Sequence, residues 1–396
     1  MSQTEKETPK LNTKRLRGVE VQFEDYAPGL ARVLPDGVLS AINAVFYGWQ
    51  KLGILRYIFA GIMLAAIALP LGPAKDEVLV RTGFYMLAAL GLNVVVGLAG
   101  LLDLGYVAFF MIGSYTVALF TESNATAHPA ILDPWLILPI AVVVAMVTGL
   151  LLGTPTLRLR GDYLAIVTLG FHEIVRQTAR NLSVVNGSRG VTSIPHPDFS
   201  IFGKSVEFGV LDPQKYWFVL CVFIVIALFI VQRIKDSRIG RSWEAIREDE
   251  VAASAMGIPV VKMKLYAFAI GASTSGLAGW ALATKVGFIS PNNFPLLSSI
   301  LVLCAVVIGG IGSSLGALLG AALVFGLPEL LRDIGAETIL GFDVQTGRIA
   351  IFGFLLVVMM IFRPGGLISS SRRRAELSSG GDIAADSTAP GIPGES

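Results

Sequence analysis

The chain has 396 residues, of which 54% are hydrophobic and only 15% charged, with a formal net charge of +2. Apolar runs of about 20 residues recur along it, and such runs cross the hydrocarbon core of a bilayer. This composition excludes a string of soluble domains and gives no sign of nucleic-acid binding. Cys221 and Cys304 lie inside apolar runs, and the three histidines have no cysteine or carboxylate cluster beside them. The sequence therefore predicts neither a disulfide nor a metal site.

The two ends of the chain are polar and are predicted to be cytoplasmic tails. Residues 1–53 are too long and too polar for the start of a cleaved signal peptide, and 38–49 are the candidate for a helix on the membrane surface. Residues 367–396 are rich in Ser, Gly, Ala and Pro, which is typical of a disordered segment. Between them, residues 54–366 are predicted to form the transmembrane domain.

The fold predicted for this domain is an all-α integral membrane bundle with about ten transmembrane or membrane-embedded helices. The predicted helices are 54–71, 82–100, 103–120, 134–153, 162–181, 216–233, 264–286, 297–309, 315–331 and 347–362. As one helix, the apolar block 300–331 would be about 48 Å long, whereas the hydrocarbon core is roughly 30 Å thick. We therefore expect this block to break at the sequence GGIGSSLG, residues 309–316.

Basic residues predict the orientation of these helices. Most of the 31 Lys and Arg residues lie in segments that become cytoplasmic when both termini and residues 234–263 are placed inside. The opposite orientation would translocate the basic segment 234–263, against the positive-inside tendency. We expect both termini in the cytoplasm and the long loop 182–215 outside.

Small and polar residues inside the apolar runs are candidates for helix packing or for the lining of a pathway. Small residues recur at four-residue spacing, which lets helices approach closely in lipid. The two sets are Gly271, Ser275 and Gly279, and Gly312, Gly316 and Gly320. Asn93 is predicted to hydrogen-bond between helices, and Asp103 to act as the N-cap of the helix that follows it. Both also remain candidates for the pathway.

The predicted helix 162–181 is apolar in its first half and charged in its second. His172, Arg176 and Arg180 recur every four residues on one face, and Glu173 lies three residues before Arg176. A charge that faced lipid at this depth would cost roughly 2.5–3.5 kcal/mol. Three interpretations stay open: a structural ion pair of Glu173 with Arg176, a pathway lining, or a helix end beyond the hydrocarbon.

The charged segment 232–265 lies between two predicted membrane helices. Its centre is predicted to be an amphipathic helix from Ser242 to Met256, and Gly257 followed by Pro259 is a helix stop. Such a helix suits a groove on a soluble partner, although a solvated loop helix is the alternative.

Five stretches of the chain resemble the branched-chain amino acid permease family of the LivM type, within ATP-binding-cassette (ABC) importers. Glu244-Ala245-Ile246-Arg247 with Gly257-Ile258-Pro259 resembles the ATPase-coupling segment of such permeases. The stretches, in chain order, are LGLNVVVGLAGLLDLGYVAFFMIGSY, LRLRGDYLAIVTLGFHEIVR, NGSRGVTSIPHP, SRIGRSWEAIREDEVAASAMGI and VVIGGIGSSLGALLGAA. Where the family more often has a small hydroxyl residue, this chain has Asp103.

The resemblance implies a permease subunit in a bacterial inner membrane that transports branched-chain or other neutral amino acids. It implies four partners: a second homologous permease, two cytoplasmic ATPases that hold the ATP and Mg, and an extracytoplasmic substrate-binding protein. In the coupling segment, Ile246 and Ala252 are predicted to pack closely in an ATPase groove. The charges of Glu244, Arg247 and Asp249 are predicted to lie at the rim of that groove.

Catalysis by the chain itself has no support in the sequence. It contains no GxxxxGK[ST] phosphate-binding loop and no nucleophile with an adjacent base, so we expect a transporter subunit without catalytic residues or a cofactor of its own. Two alternatives stay open. One is a permease of the same family for urea or short amides, and the other is an ion-coupled secondary carrier that uses Glu173 or Asp103.

Overall fold

The computed structural model describes residues 61, 64, 72–121, 132–156, 162–201, 204–206, 208–333, 338–339, 342–343, 353–358, 361 and 366–368. The N-terminal tail with its candidate surface helix 38–49, nearly all of the C-terminal tail, and most of the predicted helices 54–71 and 347–362 lie outside these residues. The domain boundaries at 53 and 366 therefore stay predictions.

Helices make up most of the described chain. The α-helices are α1 (Pro73–Leu92), α2 (Val107–Thr121), α3 (Pro134–Thr156), α4 (Asp162–Asn181), α5 (Pro213–Lys235), α6 (Arg238–Glu248), α7 (Glu250–Ala255), α8 (Val260–Val286), α9 (Leu296–Gly309), α10 (Ser314–Ala321) and α11 (Leu327–Asp333). Two π-helical segments, Asn93–Leu98 and Ala322–Gly326, continue α1 and α10. Short 3-10 turns occur at Ser183–Val185, Gly187–Arg189 and Pro291–Asn293.

Two small antiparallel hairpins depart from the all-helical prediction. Strand β1 (Phe199–Ile201) pairs with β2 (Lys204–Val206), and β3 (Thr338–Ile339) pairs with β4 (Phe342–Asp343). Each strand has two or three residues, too few for the period-two hydrophobic alternation that reveals a strand in a sequence.

Five stretches of the described chain are long and apolar enough to cross a membrane, which fits a multi-pass membrane protein. They are Lys75–Leu98, Pro134–Pro155, Pro213–Lys235, Val260–Val286 and Pro291–Gly309. Val107–Thr121 and Ser314–Leu330 are shorter apolar helices. The total of ten and the cytoplasmic termini stay predictions.

Helix α8 packs against α1, α2 and α3 through residues without large side chains. A Cβ atom at Gly271 would collide with the side chain of Val95, and one at Gly279 with the backbone of α2 at Phe110. Ser275 lies between these glycines and is fully buried. The first set of small residues therefore lies where helix backbones come close together.

The predicted break in the apolar block 300–331 is confirmed. Helix α9 ends at Gly309, and α10 begins at Ser314 after a turn in which Gly310 and Gly312 have φ of 126° and 80°. Residues other than glycine rarely adopt such φ values, so these two glycines permit the turn. We call residues 310–313 the Gly312 turn.

Gly312 does not share a helix with Gly316 and Gly320, because it lies before the start of α10, although its backbone packs closely on Gly97. A Cβ at Gly316 or Gly320 would instead collide with backbone carbonyl groups of α9 at Gly309 and Ala305. These two glycines therefore hold α10 close to α9. Four-residue spacing alone does not show where a helix begins.

Candidate functional site

The charged segment between α5 and α8 forms two short helices, not the single helix Ser242–Met256 that its sequence predicts. Helix α6 starts at Arg238, where the Ser237 side chain accepts hydrogen bonds from the backbone of Ile239 and Gly240. It ends at Glu248, because Asp249 takes an extended conformation and its side chain caps α7. Short polar side chains such as Asp compete with helix continuation by capping the next turn.

One face of α6 is buried against the protein's own helices. The Trp243 side chain is fully buried, and its Nε1 donates a hydrogen bond of 2.7 Å to the carbonyl of Met263 on α8. Ile246 on the same face is only 5% exposed. The prediction that Ile246 packs into a partner groove is therefore wrong, since its side chain is already enclosed by this chain.

Arg247 points into the membrane domain. Its Nη1 donates a 2.7 Å hydrogen bond to the carbonyl of Gly97, in the π-helical segment that continues α1. The aliphatic part of its side chain packs on Gly100. Its prediction as a rim charge is therefore corrected, because the guanidinium group is bonded inside the protein.

Two further hydrogen bonds meet at the Gly312 turn. Lys235 Nζ, at the end of α5, donates to the carbonyl of Gly312 at 2.9 Å. The backbone N–H of Gly312 donates to Asn93 Oδ1 at 2.8 Å, in a buried position. Asn93 thus makes a link between helices, and it begins the π-helical segment that Arg247 contacts.

These contacts form a connected path into the membrane helices from α6 and α7, which we call the surface helices. Arg247 joins α6 to the segment Asn93–Leu98, and Asn93 joins that segment to the Gly312 turn between α9 and α10. π-Helical turns are rare and frequently occur at functional sites. A displacement of α6 would therefore act directly on the π-helical segment Asn93–Leu98 and, through Asn93, on the Gly312 turn.

The exposed apolar residues of α6 and α7 lie on α7 and its flanks. Val251 and Met256 are 65% and 83% exposed, and Ala252 is exposed between them. Gly257 has φ of 82° and ends the helix, while Asp249 is exposed at its start. Glu244 and Ala245 are half-buried on α6. The apolar surface that a partner can reach therefore lies on α7.

Helix α7 is fastened to α8 by an ion pair. Lys264 Nζ lies 2.7 Å from Glu250 Oε2, and the lysine side chain is only 5% exposed. A cavity of about 320 Å³ lies beside this pair, between the loop that follows the π-helical segment and the surface helices. It is lined by residues 99–102, Leu164, Ile246–Glu248, Glu250 and Lys264.

Asp103 does not cap α2, because that helix begins only at Val107. Its Oδ1 accepts a hydrogen bond of 2.8 Å from the backbone of Gly105, which forms a local turn, and the residue is completely buried. The next backbone N–H, of Leu104, donates to Thr168 on α4 at 3.0 Å. Asp103 therefore shapes the turn, and the backbone of Leu104 joins that turn to α4.

The structure brings Glu173 and Arg176 together as a bidentate pair. Arg176 Nε and Nη2 each lie 3.0 Å from one oxygen of the Glu173 carboxylate. The Arg176 side chain is 19% exposed and that of Glu173 is 38% exposed. His172 is fully buried, and Arg180 donates to Asn292 at 2.9 Å. The ion pair exists, but it lies at the edge of the protein.

Two contacts of the site, from Lys235 to Gly312 and between Lys264 and Glu250, were not predicted from the sequence. Lys235, Lys264 and Glu250 were read only as members of a charged segment. Glu250 and Lys264 carry opposite charges on either side of the Gly257–Pro259 stop, which is the one pattern that indicates such a pair. No pattern in the sequence indicates the bonds from Lys235 or Arg247 to distant backbone carbonyls.

Comparison with known proteins identifies the family of the chain. The family model for the branched-chain amino acid transport system permease component matches residues 75–363. A LivM permease of high-affinity branched-chain amino acid transport from Salmonella typhimurium is 40% identical over 366 residues, covering 87% of this chain and 81% of the relative. Escherichia coli K12 LivM is 38% identical over 347 residues, covering 82% and 77%.

A second kind of relative matches more distantly. The permease LivH of Escherichia coli K12 is 27% identical over 290 residues, covering 71% of this chain and 90% of the relative. No solved structure matches the chain. The family match spans most of the chain and covers α2 to α11 and all but the first two residues of α1, so the chain belongs to the branched-chain amino acid transport permease family.

Proposed function

We propose that this chain is the permease subunit of an ATP-driven importer in a bacterial plasma membrane, and that it transports branched-chain amino acids. The names of its LivM, LivH and BraD relatives support this substrate class, because each is a permease of high-affinity branched-chain amino acid transport. A second, related permease forms the other half of the pathway, and an extracytoplasmic binding protein delivers the substrate.

Energy comes from two cytoplasmic ATPases that hold ATP and Mg, and they contact this chain through α7. The observation that carries this proposal is the arrangement of α6 and α7 between two apolar helices. One side of the pair is bonded to the membrane domain through Trp243 and Arg247, and the other exposes Val251, Ala252 and Met256. Closure of the ATPases would push on α7 and so move the segment Asn93–Leu98.

Uptake by cells with and without the chain tests the function. Cells that lack the chain but keep its partners should lose uptake of labelled leucine, isoleucine and valine, and regain it when the chain is restored. Urea uptake should be the same in both strains. Loss of urea uptake with normal leucine uptake would replace the proposed substrate.

Reconstitution tests the energy source. The purified assembly in liposomes should import leucine only when ATP and the binding protein are supplied. Import driven by an ion gradient without ATP would instead support the secondary carrier. That alternative needs a coupling acid in the membrane domain, and its two candidates are Glu173, which is paired with Arg176, and the buried Asp103, whose Oδ1 accepts a hydrogen bond from the backbone of Gly105.

A further inference from the structure

The cavity beside the surface helices has the size and the position of a ligand site. Its volume of about 320 Å³ lies within the range of small-molecule pockets, roughly 300–1,000 Å³. Its lining comes from four parts of the chain: the loop 99–102, α4, the two surface helices and α8. A molecule held in this cavity would therefore contact all four at once.

Aliphatic side chains form part of the lining. Leu101 and Leu102 contribute from the loop, Leu164 from α4 and Ile246 from α6. Leu101, Leu164 and Ile246 are buried, whereas Leu102 is 36% exposed. Burial of apolar surface away from water is favourable, so this part of the lining suits an aliphatic group.

Lys264 supplies positive charge with unused hydrogen-bond donors. An ammonium group has three N–H donors. In the part of the chain that the structure describes, Lys264 Nζ donates only to Glu250 Oε2, at 2.7 Å, and its side chain is 5% exposed. Buried polar groups are normally hydrogen-bonded, so a carboxylate in the cavity would supply the acceptors that Lys264 lacks.

The end of α6 supplies negative charge. Glu248 is the last residue of α6 and lines the cavity, and its exposed side chain makes no hydrogen bond or ion pair with any described residue. The last carbonyl groups of a helix carry partial negative charge, and a carboxylate beside them adds to it. This end of the cavity lining therefore suits an ammonium group.

The charges of the lining balance one another, which narrows the class of ligand. Arg247 and Lys264 are positive, and Glu248 and Glu250 are negative. A polyanion such as a nucleotide, or a metal cation, would meet repulsion as well as attraction. A molecule that carries one charge of each sign and no net charge fits all four groups.

We propose that this cavity binds a small zwitterion with a branched aliphatic side chain, which is the chemistry of the imported amino acid. Its carboxylate bonds to Lys264, its ammonium group to Glu248, and its side chain packs on Leu101 and Leu164. The inference rests on the proposed function for the source of the ligand. That function places the cytoplasm, where imported product appears, on the side of the surface helices.

A ligand in this cavity restrains the contacts that couple α6 to the membrane domain. Arg247 lines the cavity, and its Nη1 bonds to the carbonyl of Gly97. Its aliphatic part packs on Gly100, which lines the cavity as well. A bound amino acid joins the loop 99–102 to α6 and α8 and so resists displacement of α6. Product that accumulates in the cytoplasm therefore slows further import.

Equilibrium dialysis with tritiated leucine tests the site. The assembly is purified through this chain, placed in lipid nanodiscs and measured without ATP or binding protein. The wild type should bind leucine, and Glu248→Gln should weaken binding about tenfold or more, because the amide lacks the charge that strengthens the hydrogen bond. Asp236→Asn changes an exposed acid outside the cavity and should bind like the wild type. Equal binding by the wild type and Glu248→Gln, or none by either, would overturn the proposal.

A filling substitution tests the cavity itself. Leu102→Trp adds bulk at an exposed position of the lining, so the amount and unfolding temperature of the chain should stay near those of the wild type while leucine binding is lost. Val261→Trp adds similar bulk at an exposed position of α8 outside the cavity, and it should leave binding unchanged. Leucine binding that survives Leu102→Trp would mean that leucine binds elsewhere.

Competition by analogues tests the class of ligand. Isoleucine should displace tritiated leucine. Leucinol lacks the carboxylate, 4-methylpentanoate lacks the ammonium group and glycine lacks the side chain, so each should compete about tenfold less well or worse. Competition by 4-methylpentanoate as strong as that by leucine would refute a site for a zwitterion.

ATP hydrolysis in liposomes tests the consequence for transport. ATP added outside the vesicles reaches only the assemblies whose ATPases face outward, and the binding protein is enclosed within. Excess leucine outside should reduce hydrolysis, and the reduction should be smaller in Glu248→Gln. Dialysis does not need import, so leucine binding at the cavity of an assembly that fails to import leucine would refute the proposed function and keep the site. Normal import without binding at the cavity would do the reverse.

Discussion

At the scale of single residues, Arg247 has the most specific geometry in the surface helices. Its guanidinium group leaves α6 and bonds to the carbonyl of Gly97, whereas an exposed arginine would remain in water. Hydrogen bonds to charged groups typically contribute about 1.5–3 kcal/mol. This bond is the direct connection between α6 and the π-helical segment, so we interpret Arg247 as a residue that transmits motion.

Arg247→Ala should therefore uncouple transport without releasing the ATPases. We expect leucine-stimulated ATP hydrolysis and uptake to fall about tenfold or more, which corresponds to the loss of one such bond. Co-purification of the ATPases should stay normal, because Arg247 lies on the side of α6 that faces the membrane domain. The control is Arg241→Ala, at an exposed position of the same helix. Loss of ATPase binding in Arg247→Ala would mean that Arg247 lies in the interface with the ATPases.

Ala252 should show the opposite behaviour, since it is exposed on α7. Ala252→Glu places a charge in the centre of the apolar surface formed with Val251 and Met256, and intrusion at a packed position disrupts an interface. We expect the ATPases to be lost on purification while the chain still inserts and binds its permease partner. Lys262→Glu, exposed outside α7, serves as the control. Retained ATPases with normal stimulated hydrolysis would mean that α7 is a solvated helix.

At the scale of elements, hydrophobic patterning predicted the positions of most helices but not their irregularities. The bounds of α4 agree with the prediction, because its apolar half and charged half both follow the helical period. The break at Asp249 was not predicted. Trp243, Ile246 and Ala253 have the spacing of one helix face, and this spacing fits one continuous helix and two short helices equally well. The two short helices form because the Asp249 side chain caps α7, and hydrophobic periodicity gives no information about caps.

The π-helical segment could not be predicted from the sequence for a related reason. Its sequence, Asn93 followed by three valines, reads as an ordinary apolar helix. The extra residue in the turn accompanies a bond between Asn93 and the Gly312 turn, more than two hundred residues away in the chain. Long-range contacts of this kind leave no local pattern.

Asn93→Leu tests that contact. Removal of the amide leaves the buried N–H of Gly312 without its acceptor, and an unsatisfied buried donor costs about 1–3 kcal/mol. We expect a lower unfolding temperature in detergent and less folded protein. Thr116→Val, which removes a largely buried hydroxyl that bonds only within its own helix, is the control and should have a smaller effect. An unchanged unfolding temperature in Asn93→Leu would show that water replaces the amide.

At the scale of the whole molecule, the helix lengths determine which segments share a side of the membrane. Helices α5 and α8 have 23 and 27 residues, or about 35 and 40 Å, so each is longer than the hydrocarbon core. The surface helices α6 and α7 join one end of α5 to one end of α8. At the other end, Val191 pairs with Ile289 just beyond α8. The loop near residue 190 and the surface helices therefore lie on opposite sides.

The positive-inside tendency then predicts which side is the cytoplasm. The α6 side carries Lys235, Arg238, Arg241 and Lys262, and the inverted orientation would translocate all four of these basic residues. The sequence predicted that Met1, Glu248 and Ser396 face inward and Gly187 outward. Gly187 has φ of 53°, so a cysteine there would be strained, and the exposed neighbour Ser188 is the better probe.

Cysteine labelling in intact cells tests this orientation, in the Cys221→Ala, Cys304→Ala background. Ser188→Cys should react with an impermeant maleimide before lysis, because it lies on the side away from α6. Glu248→Cys, which is exposed at the end of α6, should react only after the membrane is opened. The fully buried Ala272→Cys should stay unlabelled in both cases and controls for leakage and unfolding. Ready labelling of position 248 in sealed cells would show that the topology is the inverse of the predicted one. Helix α7 would then lie on the side of the membrane that no cytoplasmic ATPase can reach.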